Sequence, residues 1–87
     1  MMERQDFLDL GFTELPHFTI GSSLTYDFGR NRYLSASSVG SPNEMIFIYE
    51  ISKNNPNEIT DVICIHNYDY NGYMTKEKLV KLIDFLK

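Results

Sequence analysis

The chain has no tryptophan, a single cysteine and three prolines among its 87 residues, and each shortage narrows what it can be. A lone thiol, Cys64, closes no internal disulfide and cannot by itself build a structural zinc site. The fold must stand without covalent staples, which suits a reducing compartment. Long apolar runs are missing too. The longest, Met45-Ile46-Phe47-Ile48-Tyr49, is far short of the ~20 residues a membrane-spanning helix needs. The opening Met1-Met2-Glu3-Arg4-Gln5-Asp6 is polar and lacks the apolar centre of a secretory signal. The expectation is a cytoplasmic protein without membrane contact. Basic charge is also scarce: eight Lys and Arg stand against twelve Asp and Glu, a net charge of −4. General nucleic-acid binding needs a basic surface, so nucleic acid is not an expected partner.

What remains describes one small domain spanning 1–87. A chain of this length buries roughly 60–65% of its unfolded surface, so it folds with little to spare. Six Phe and six Tyr supply the area a small core needs, with four Met to fill gaps. Charge is uneven. Residues 1–29 and 44–71 each carry five acids and one base, while bases gather at Arg30 and Arg32 and at Lys76, Lys78, Lys81 and Lys87. Such polarity suits orientation toward a partner.

Periodicity predicts an α+β fold: a four- or five-stranded antiparallel meander with a short N-terminal helix and an amphipathic C-terminal helix packed on it. Residues 3–10 read as the first helix, with Glu3 and Asp6 in its first turn. Gly11 suits the left-handed position beyond its end, which brings Phe12 against Phe7. His17 to Ile20 gives a weak edge-strand signal after Pro16. Leu24, Tyr26 and Phe28 alternate with polar residues as a strand does. Gly29-Arg30-Asn31 reads as a hairpin loop, and 32–39 as the returning strand. Residues 44–52 form the strongest strand, apolar at both parities from Met45 to Tyr49, as in a central strand covered on both sides. Residues 59–66 form another strand, whose run Val62-Ile63-Cys64-Ile65 reads as buried. Thr75 caps the last helix, Met74 and Leu79 staple its start, and Leu79, Leu82, Ile83 and Leu86 form its inner stripe. The last helix covers one sheet face; the first helix or a partner covers the other.

Four constellations bear on chemistry. The stretch His66-Asn67-Tyr68-Asp69-Tyr70-Asn71-Gly72-Tyr73 has the oxygen spacing of an EF-hand loop. With Gly72 at the sharp turn, Asn67, Asp69 and Asn71 take the first three ligand positions, and the Tyr73 carbonyl the next. The closing bidentate Glu is replaced by Lys78, with Glu77 one place early, and the segment ahead reads as strand. The plainer reading is an Asx-rich turn leading into the Thr75 cap. A third reading is a recognition loop, because Tyr gives contact area at low entropic cost; Tyr68 and Tyr70, at one strand parity, would present an aromatic face beside Asp69, with Tyr73 following. Arg30 and Arg32 flank a turn, where they either grip an anion of the partner or pair with local acids. Cys64 and His66, two apart on a strand, share a face. They are the start of a thiol–imidazole pair, though no orienting group accompanies them, and a buried, inert thiol is the simpler reading. The small residues Ser35 to Ser41 allow close approach of another element or mark a weak strand end.

The runs Arg30-Asn31-Arg32-Tyr33-Leu34-Ser35, Pro42-Asn43-Glu44-Met45 and Asn67-Tyr68-Asp69-Tyr70 give the whole chain a resemblance to small bacterial and mobile-element proteins with no assigned activity. That resemblance implies no catalytic residues. The functional expectation is a non-catalytic module of adaptor or inhibitor type. It binds another protein, or a second copy of itself, through Tyr68, Asp69, Tyr70, Tyr73, Arg30 and Arg32, and needs no cofactor. The alternatives are a calcium-responsive domain using the 67–75 loop and a small thiol enzyme using Cys64.

Overall fold

The computed structural model describes residues 2–14 and 23–87. The weak strand expected at 17–20 lies outside them. The elements run α1 (Arg4–Asp9), β1 (Ser23–Asp27), β2 (Arg32–Ser37), β3 (Met45–Ile51), β4 (Ile59–Asn67), α2 (Tyr68–Asn71) and α3 (Lys76–Leu86). All neighbours pair antiparallel, in the order β1-β2-β3-β4. The result is the expected α+β meander, with four strands among the described residues.

Local chemistry sets the boundaries. The Asp6 carboxylate accepts from Glu3 N at 2.8 Å and closes the first turn of α1. Past its end, Gly11 takes φ 107°. Phe12 N then donates to Phe7 O and Gly11 N to Leu8 O, both at 3.1 Å. This double bond pattern brings the Phe7 and Phe12 rings edge to face at 5.3 Å. The β1–β2 hairpin turns on three left-handed residues, Gly29, Arg30 and Asn31. Asp27 Oδ1 fixes the turn by accepting from Gly29 N at 2.7 Å. Arg30 takes φ 57°; for a residue with a Cβ, that conformation costs on the order of 1 kcal/mol.

Both helices lie on the same sheet face. Phe7 and Phe12 from the α1 end share one buried cluster with Leu79 and Ile83 of α3, over Leu24, Leu34, Ala36 and Ile46. Each fully buried Phe, Leu or Ile contributes about 1.5–3 kcal/mol of transfer free energy, so this layer dominates the stability of so short a chain. The first helix therefore does not cover the second face. That face carries a smaller cluster: Tyr33 and Tyr49 stack at 5.2 Å, with Ile51 and Ile59 beside them. β3 runs centrally with side chains buried on both faces, as its apolar run predicts.

β4 departs from expectation. Its apolar run suggests burial, yet among the described residues it pairs with β3 alone, and Val62, Ile63 and Cys64 are exposed. Its pairing also skips a residue. Ile46 faces His66, but the next residue, Phe47, faces Cys64, so Ile65 is extra. An irregularity of this kind shifts strand parity by one.

Candidate functional site

Of the residues the sequence nominates, the structure groups some and separates others. Arg30 and Arg32 lie at the end of the sheet where Arg32 pairs with Glu50 and Glu50 with Asp61. The 67–73 segment follows the other end, where Met45 pairs with Asn67. Five residue steps along β3 separate the two levels, roughly 17 Å of strand, so the arginines do not join the tyrosine segment. Arg32 is occupied locally: its Nη2 and Nε reach Glu50 Oε1 at 2.9 and 3.2 Å. Arg30 stands exposed at the hairpin tip.

The tyrosine segment is not extended as strand parity assumed. Asn67 Oδ1 accepts from Asp69 N at 2.9 Å and caps the single turn of α2. A helical step of ~100° per residue turns Tyr68 and Tyr70 to opposite sides. Tyr68 folds back on Tyr73, their ring centroids 4.5 Å apart. Burial, and then the neighbouring Tyr68, hold the Tyr73 phenol above its usual range. Tyr70 projects alone, with 88% of its surface exposed. Asp69 is exposed beside it.

The same hydrogen bonds bear on calcium. Asn71 Oδ1 accepts from Asn67 N at 3.1 Å, so two of the three nominated oxygens are turned onto local main chain. Among the described residues, no group of three or more His, Cys, Asp and Glu is arranged to hold a metal ion.

Cys64 is exposed, contrary to the buried thiol expected of an apolar strand. The skipped residue at Ile65 also places Cys64 and His66 on opposite faces, where two-residue spacing had put them on one. The thiol donates to the His66 main-chain oxygen at 3.3 Å. The imidazole is buried, its Nε2 3.0 Å from Glu44 Oε2. Thiol and ring are thus committed to different partners.

Glu44 escaped sequence reading. Placed between a turn and an apolar run, it has the pattern of an ordinary strand start. It is fully buried and joins three segments: Oε1 accepts from Gly40 N at 3.1 Å, while Oε2 accepts from Met74 N at 2.8 Å and meets His66. Its own carbonyl accepts from Tyr68 N at 3.2 Å. This hub anchors the start of α2 and the entry to α3, and so fixes the stem from which Tyr70 projects.

Around that stem lies a groove of about 390 Å³, lined by Met45, Cys64, Ile65, His66, Asn67, Tyr70 and Asn71. Beside the outer edge of the sheet, a second groove of about 260 Å³ runs between α3 and β4, with Ile48, Ile63 and Leu86 as its apolar walls. Both are surface features alongside one strand. No helix among the described residues is long and apolar enough to cross a membrane. No family model, curated protein or solved structure matches the chain.

Proposed function

We propose that the chain is a non-catalytic protein-binding module of adaptor or inhibitor type, acting in the cytoplasm, with its contact surface where β4 meets α2. One observation carries this reading: Tyr70 stands almost wholly in solvent on a short helix hydrogen-bonded to its Asn67 cap and to Glu44, at the rim of a groove. An exposed aromatic side chain has few rotatable bonds to immobilise on contact and buries a large area, which is why tyrosines dominate recognition surfaces. Asp69 adds a charge that orients the approach. Cys64 and His66 engage different partners, which favours contact over chemistry.

A photo-crosslinking amino acid at position 70, with one at Lys78 on α3 as control, tests this in the source cells. The expected result is an adduct of discrete mass from position 70 that position 78 does not give. Equal, diffuse labelling from both positions would remove the basis for the proposal.

A further inference from the structure

β4 is paired only with β3 among the described residues, so its outer main-chain groups are left for another strand. Its register is regular over four consecutive residues, Asp61 to Cys64, opposite Glu50 to Phe47. These four span about 13 Å. They carry two large β-branched side chains in solvent, Val62 at 47% and Ile63 at 53% exposure. Successive strand residues point to opposite faces, so each face of this edge offers one apolar contact. Ile63 and Asp61 lie on the α3 side, where they wall the groove closed by Leu86.

Charge selects the occupant. From Asn54 to Thr75 the chain has Glu58, Asp61 and Asp69 and no Lys or Arg. Arg32, the cation lining the groove, is held by Glu50 at 2.9 Å. Asp61 has no ion-pair partner among the described residues. A second copy of the chain would bring the same acids to the same edge, and its net charge of −4 repels at longer range. A basic strand complements both.

Resting on the binding-module reading above, we propose that β4 accepts an extended segment of a basic partner protein as an added strand. A Lys or Arg of that segment faces Asp61, and an apolar side chain two residues away faces Ile63. Main-chain hydrogen bonds supply affinity, and the alternating side chains supply the choice of partner.

The test is an amide NMR titration of the full chain with two short capped peptides, one alternating valine with lysine and one alternating valine with glutamate. The lysine peptide should shift and protect the amides of residues 61–64 and bind about tenfold more tightly than the glutamate peptide. Asp61→Lys, at an exposed position, should reverse that preference while leaving the circular dichroism spectrum unchanged. Equal binding of both peptides, or an unchanged preference in Asp61→Lys, overturns the proposal. So does concentration-dependent doubling of mass with the same amides shifting and no peptide present, which makes a second copy the occupant. Silence at residues 61–64 with persistent crosslinking from position 70 defeats the strand-addition proposal alone. Loss of both signals defeats the binding-module reading as well.

Discussion

His66 Nε2 lies 3.0 Å from an oxygen of Glu44, and that carboxylate is completely shielded from solvent. An acid taken out of water is tolerated only when its lone pairs are met, and here Gly40 N, Met74 N and the imidazole meet them. Glu44→Ala leaves two main-chain donors without their acceptor and a ring nitrogen without its partner. With each unmet buried group costing about 1–3 kcal/mol, we expect a loss of about 3–5 kcal/mol, a large share of the roughly 5–15 kcal/mol a domain possesses. Glu44→Gln keeps an acceptor and should lose less. Urea unfolding midpoints of the three proteins decide this; equal midpoints for wild type and Glu44→Ala would refute the hub.

Cys64 lies in solvent on an edge strand. Its alkylation by iodoacetamide in native buffer should proceed within a fewfold of the rate in urea, since no unfolding step is required. A native rate slower by orders of magnitude would mean that the thiol is covered in solution.

Alkaline stability follows from two stacked tyrosines. Burial raises the Tyr49 phenol above its ordinary value of 10.0, partly offset by the neighbouring Thr25 side chain. Burial also raises Tyr33, with the Asp27 charge adding to it. A folded-state value above the unfolded one favours the neutral phenol in the native protein. The associated stability is fully present below pH 10 and is lost as pH rises through the folded-state values. Thermal melts should fall above about pH 10, with phenolate absorbance at 295 nm rising together with unfolding. Tyr49→Phe should flatten that alkaline fall; an unaltered profile would assign it elsewhere.

Thr75 Oγ1 accepts from Lys78 N at 3.3 Å at the start of α3. Thr75→Ala should lower stability by about 1 kcal/mol, and Thr75→Gly by less. Denaturant titration checks the order. The cap is exposed, so the change reports on the helix terminus and not on a core cavity.

Elements governed by neighbouring residues were legible in the sequence. The Gly11 stop with its Phe7–Phe12 contact, the Thr75 cap and the inner stripe of α3 each depend on spacings of a few residues, and all are found. The central place of β3 was legible because apolar side chains occupied both parities. At β4, Val62, Ile63 and Cys64 form an equally apolar run, yet they are exposed. Composition reports what a strand could bury, whereas its position in the sheet decides what it does bury. Strand parity holds only where the strand is unbroken, and at two places it is not. The extra residue at Ile65 reversed Cys64 against His66, and the Asn67 cap curled Tyr68 away from Tyr70. Glu44 had no local signature, because its three partners come from positions 40, 66 and 74.

The interruptions at both ends of the straight stretch of β4 have a consequence for behaviour at high concentration. Fibrillar stacking uses six- or seven-residue segments of matched strand, and the four aligned residues here fall short of that length. Apolar side chains can therefore stand in solvent on that strand without templating endless polymers of the chain.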